Sequence, residues 1–159
     1  MKNQSLQKFI VLCILIMLGG SLIFLSCSKD SDNDNITGGI TGPQKISSGE
    51  WNANTDFGGF DLIINSESTY ITKITITFDN WSIGSGTHNG SIIISRTPGW
   101  QISNRQFSIS TDLNPIPPGH KIMTFNGTFH DNGNEASGTW EADFDGAADS
   151  GNWEGCCAN

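Results

Sequence analysis

"KIMTFNGTFHDNGNEASGTWEADF", residues 121–144, decides the fold. Two runs alternate large apolar residues with small or polar ones, and Asn132-Gly133 stands between them. Asn-Gly is a favoured two-residue hairpin turn, because both positions call for positive φ. A two-residue loop there fixes the register. Phe129 then faces Ala136, Gly127 faces Gly138, Phe125 faces Trp140 and Met123 faces Ala142. On the other side His130 faces Glu135, Thr128 faces Ser137 and Thr124 faces Glu141. One face is apolar and the other polar across both strands. A slip by one residue destroys that arrangement, so turn chemistry and pattern agree independently. Phe125 opposite Trp140 adds up to about 1 kcal/mol beyond burial. The paired glycines leave a gap for a bulky neighbour, Trp51 or Trp153.

The same alternation runs outward from this hairpin. In "YITKITITFD" Tyr70, Ile74, Ile76 and Phe78 share one face, and Lys73, Thr75, Thr77 and Asp79 the other. "FDLIIN" presents Phe60, Leu62 and Ile64, and "RQFSIS" presents Phe107 and Ile109. "SIIIS" reads as a short buried run, Ile92 to Ile94. No stretch holds a helical period, and Gly, Asn, Asp and Pro punctuate the chain, which argues an all-β domain. About eight strands are expected, near 48–52, 58–65, 69–79, 90–95, 105–111, 121–130, 135–144 and 150–155. Short connections make them an antiparallel meander, closing as a small barrel or a flattened β-sandwich. The "GTF…ASGTW" hairpin with the later "SGNWEG" resembles small β-domains of bacterial secreted and lipid-anchored proteins. That resemblance covers the last third of the chain and implies fold, not activity.

The beginning of the chain carries a different signal. Lys2 and Lys8 precede an apolar run from Phe9 to Leu25, the layout of an export signal. An uncleaved membrane anchor is the alternative, because about 17 apolar residues approach the length of a span. "LIFLSCSKDSDNDN", residues 22–35, then passes from apolar to acidic at one cysteine. Ser26-Cys27 resembles the end of a lipobox, the cleavage site of bacterial lipoprotein precursors. The resemblance implies a signal peptide over residues 1–26 and acyl chains on Cys27. Each buried CH₂ contributes about 0.8 kcal/mol, so several chains hold a protein on a membrane where one does not. Residues 27–44 then read as a disordered acidic tether, and 45–159 as a single all-β domain. A Lys followed by acids just after the cysteine resembles the surface-export signal of some Gram-negative lipoproteins. Outer membrane or cell surface of a bacterium is therefore the expected location, with the membrane as a partner through the lipid.

Without residues 1–26 the chain keeps six Lys and Arg against 16 Asp and Glu, a net charge of −10. That balance excludes nucleic acid as a natural partner. Among the four cysteines only Cys156 and Cys157 remain in the domain, and neighbours bridge each other only through a strained ring. No disulfide framework is expected, so a hydrophobic core must hold the fold.

Candidate chemistry is sparse. His88, His120 and His130 stand apart in sequence, and no HExxH, GxSxG, P-loop or CxxC pattern occurs. No enzyme and no cofactor are expected. Asp143, Asp145 and Asp149 around Gly146 supply the oxygen ligands that calcium takes, but no Glu closes the loop as in an EF-hand, and a hairpin loop with solvated acids is the simpler reading. Trp81 in "FDNWSIGSG" and Trp100 in "RTPGWQISN" sit among turn residues. Exposed there, with Arg96, Asn104 and Arg105 nearby, they would form a platform for a glycan or protein ligand. Folded back, they would plug the barrel end. "NPIPPGH", residues 114–120, is a stiff loop able to present a surface or simply to span the sheet end. A surface binding module is the expected function. The alternative is a structural or accessory envelope lipoprotein with no small ligand.

Overall fold

A computed structural model of the chain describes residues 42–113 and 120–158. Cys27, the signal-like segment, most of the tether and the Pro-rich residues 114–119 lie outside them. Eight strands follow in order: β1 Gly49–Thr55, β2 Gly58–Ile64, β3 Tyr70–Ile83, β4 Gly86–Gln101, β5 Gln106–Asp112, β6 Lys121–Phe129, β7 Glu135–Phe144 and β8 Ala147–Cys157. Neighbours in sequence pair antiparallel, except β4 and β5, and β1 also pairs with β8. The result is one sheet in the order β4-β3-β2-β1-β8-β7-β6-β5, curled into a nearly closed barrel.

The central hairpin keeps the register read from its pattern. Phe125 pairs with Trp140, Gly127 with Gly138, Phe129 with Ala136 and Thr124 with Glu141. His130 N–H donates to Glu135 O at 2.8 Å, continuing that register toward the turn. The turn itself differs from the expected one. Only Gly133 takes positive φ (73°), and Gly133 N–H donates to His130 O at 3.0 Å. Asn132 contributes through its side chain instead: Oδ1 accepts from the N–H groups of Asn134 and Glu135 at 3.1 and 3.2 Å. The two-residue arrangement with both φ positive occurs elsewhere, at Asn104-Arg105 and at Asp145-Gly146. Trp153, not Trp51, fills the gap over the paired glycines. It is the β8 partner of Gly138, and its Nε1–H donates to the carbonyls of Asn126 and Thr139 at 3.1 and 3.2 Å.

Elsewhere the inward faces follow the alternation, with two corrections. Phe60, Leu62, Ile64, Phe107 and Ile109 are buried as read. In β3 the register shifts between Ile71 and Lys73, and the bulge turns Ile71 inward, leaving Tyr70 half-exposed. The "SIIIS" run is not a buried strand. Ile92 and Ile94 face inward yet are only half-buried, because β4 has a neighbour on one side only, and Ile93, paired with Thr75 on the outward face, is 66% exposed.

Aromatic rings fill the interior. Phe57, with its ring fully buried, sits edge-on to Trp140 at a centroid distance of 4.9 Å. Phe60 contacts Phe125 at 4.7 Å and Trp153 at 5.1 Å. Residues 44–47 cross the barrel end where β1 begins, bonded from Gln44 N to Asp131 O and from Ser47 N to Gly133 O, both at 2.8 Å, with Ile46 buried beneath. The described inward side chains pack the barrel as one hydrophobic core, as expected of eight strands with bulky inward residues. Cys157 keeps a free thiol, so it and its neighbour Cys156 do not bridge each other.

Candidate functional site

The two tryptophans expected to form a platform are interior. β3 runs on to Ile83 and β4 to Gln101, so both residues lie in strands and not in loops. Each is only 7% exposed. Trp81 stacks on Phe78 with centroids 5.6 Å apart and planes 9° apart, meets Trp140 edge-on, and donates from Nε1 to Asp149 Oδ2 at 3.1 Å. Trp100 pairs with Ile71 across β3. The loop reading failed because Asn80, at φ 51°, and the bulge between Phe78 and Trp81 let the chain bend without leaving the sheet. Turn-type residues mark such a bend as readily as a loop.

The polar residues grouped with them divide. Arg105 is a structural clamp: its Nε donates to Phe129 O at 2.9 Å, Nη1 to Gln44 O at 2.7 Å and Nη2 to His130 O. It thereby ties the segment crossing the barrel end to the β6–β7 turn. Asn104 makes the β4–β5 turn with it. Arg96 and Asn104 stay at an accessible surface, the Arg96 guanidinium 5.9 Å from the Trp100 ring centre.

The aspartates proposed for calcium are likewise occupied. Asp143 Oδ1 accepts from Gly146 N at 2.8 Å. Asp145 Oδ1 accepts from His120 N at 2.9 Å. Asp149 holds the Trp81 indole through Oδ2 and its own neighbour Ser150 N through Oδ1. No group of three potential ligands converges among the described residues. These carboxylates fasten turns and an indole.

Histidine geometry is local too. His130 lies beside Glu135, 3.6 Å from Nδ1 to Oε2, as the register requires. His120 Nδ1 is 2.9 Å from Asp112 Oδ2 on the exposed surface. The hydrogen bond to Asp112, reinforced by that carboxylate's charge, raises the His120 pKa above the ordinary 6.5. The folded-state value exceeds the unfolded one, so the pair's stabilisation is fully present below about pH 6.5 and is lost as pH rises through the raised value. We expect an NMR titration of His120 to give a midpoint above 6.5 and Asp112→Asn to return it to the ordinary range. An ordinary midpoint in the unaltered chain would refute the pairing.

What remains accessible and incomplete is the barrel's open edge. β4 and β5 are joined at one end by the Asn104-Arg105 turn, where Ser103 and Gln106 exchange both backbone bonds at 2.9 Å. Beyond that, no backbone hydrogen bond links them among the described residues. Every second N–H and C=O of β4 therefore points away from β3, with no described strand to receive it. Toward the other end the gap widens into a cavity of about 380 Å³ lined by Phe78, His88, Ile92, Leu113, Lys121 and Phe144, among others. His88 is half-buried there, and desolvation, then the charge of Lys121, lower its pKa. The Lys121 ammonium stands 5.6 Å from the Phe144 ring centre.

Sequence reasoning missed this edge. The signal was present: Asn89 to Ser95 contains no charge and no proline, the residues that protect sheet edges. The run was read as buried because three consecutive isoleucines look the same in a central strand. Compared with known proteins, the chain matches no family model, no curated protein and no solved structure.

Proposed function

We propose that this chain is an exported, noncatalytic binding domain, held by a lipid on Cys27 at the outer membrane or cell surface of a bacterium, and that its ligand is a protein. The observation that carries the reading is the open β4 edge with Ile93 66% exposed at its centre. A sheet edge offers main-chain hydrogen bonds, which suit an extended polypeptide better than a sugar. Glycan binding through Trp81 and Trp100 loses its basis, since both indoles are interior. The alternative of a purely accessory envelope lipoprotein draws on the same burial, together with a second exposed apolar residue, Ile122, at 39%.

The two halves of the proposal separate experimentally. Cys27→Ala should abolish incorporation of labelled fatty acid and release the chain from the membrane fraction. A variant that still fractionates as mature membrane protein refutes lipidation. For the ligand, a photocrosslinker at Ile93 in intact cells should give one discrete adduct. The same group at Glu154, exposed on β8 across the barrel, should give none. Equal labelling at both positions refutes a binding role for β4.

A further inference from the structure

We propose that the β4 edge takes an added strand of about nine residues from a protein partner, apolar at its centre and acidic at both ends. This rests on the binding reading above and names the chemistry of the ligand. The centre of the site is apolar. Ile92 and Ile94 pair with Ile76 and Ile74 and share their inward side, and Leu113 packs against the core from beyond β5. An incoming strand alternates its side chains, so every second one enters this gap and covers the half-buried isoleucines.

The flanks are cationic. Arg96 lies four residues to one side of Ile92 at the Trp100 ring, and at the other end the cation is Lys121, which lines the gap beside His88. From His88 to Arg96 the strand extends about 26 Å at roughly 3.3 Å per residue, the reach of a nine-residue partner. The chain carries 16 acids, yet neither Arg96 nor Lys121 forms an ion pair among the described residues. Lys73, on the adjacent strand opposite Ser95, forms none either. The other described cations are committed elsewhere, Arg105 to its clamp and Lys45 to Ser66 O at 3.2 Å. On a strongly acidic protein, the described cations left without acids gather about the seam where β4 and β5 stay unpaired. A second copy of this chain would bring Arg96 again and no acid along β4, so charge selects a different partner.

The test uses the full chain in detergent with two capped synthetic peptides, DDTVTVTVTDD and KKTVTVTVTKK, and reads amide exchange in β4 by NMR. The acidic peptide should slow exchange at residues 89–95 and bind at least tenfold more tightly than the lysine peptide. Arg96→Ala with Lys121→Ala should remove that preference while both peptides still bind. Methylating alternate backbone nitrogens of the acidic peptide should abolish binding with the protein unchanged. Equal protection by the lysine peptide would overturn the charge assignment and leave β4 as a strand-binding edge. No protection by either peptide would overturn the strand-addition reading itself. Protection that rises with protein concentration alone would make a second copy the occupant. Protection lost on Ile36→Asp with Ile40→Asp would make it this chain's own tether. Either result overturns the proposal of a foreign acidic strand.

Discussion

Trp81→Ala should cost the domain about 3 to 5 kcal/mol, the usual penalty for emptying a large aromatic site in a packed core. The indole is held on several sides. It stacks on Phe78, meets Trp140 and Phe144 edge-on at 5.8 and 5.4 Å, and anchors Asp149 by a hydrogen bond. Alanine leaves a cavity among rings that cannot collapse into it, and leaves Asp149 Oδ2 without its donor. Against a typical total stability of about 5 to 15 kcal/mol, such a loss brings the fold close to unfolding near body temperature. The measurement is a urea melt followed by circular dichroism, with Trp81→Phe as the milder comparison. A midpoint shifted by less than about 1 kcal/mol equivalent would mean that Trp81 is not packed as described. This outcome also separates core from platform: a surface indole could be removed with little change in stability.

Gly138→Ala should be the most damaging single-methyl addition, costing about 3 kcal/mol, at the upper end of overpacking penalties. A Cβ at this position would lie 1.9 Å from the carbonyl oxygen of Asn126 and 2.8 Å from Gly127 Cα, both backbone atoms of the paired strand β6. A flexible side chain could swing aside, but a ladder carbonyl cannot without breaking the pairing around it. That carbonyl also receives the Trp153 indole N–H, so moving it frees the ring that closes the glycine gap. The expected readout is a lower urea midpoint together with a shift in tryptophan emission. Gly146→Ala, where a Cβ would meet nothing within 4 Å, controls for the generic effect of replacing a turn glycine at φ 86°. If Gly138→Ala melts with the original chain and Gly146→Ala melts earlier, local turn strain dominates and the glycine-gap account is wrong.

The central hairpin shows why the fold was legible. Phe125 meets Trp140 because alternation has a period of two, and a register error of one residue would put every ring of both strands in water. Such information is local and redundant, so it survives even where a detail was misread. Asn132-Gly133 makes a different turn from the one expected, and the register holds regardless. The eight strands were legible for the same reason, with errors confined to their ends.

The site was far less legible. Isoleucines 92 to 94 are equally consistent with a central strand and an edge strand, since the difference lies in whether a ninth neighbour closes the sheet. Likewise Trp81 and Trp100 stand beside Gly, Asn and Pro, which speak for a bend and not for exposure. Asp149 looked like a metal ligand until Trp81, 68 residues away, proved to be its partner. Alternation and turn chemistry are properties of neighbours in sequence, and they determined the strands, their faces and the pairing of β6 with β7. Barrel closure is a balance of strand number, bulges and twist summed around the whole sheet. Only the tertiary structure decided that β4 and β5 part after one turn, that the indoles turn inward, and that the unpaired cations collect along the edge left open.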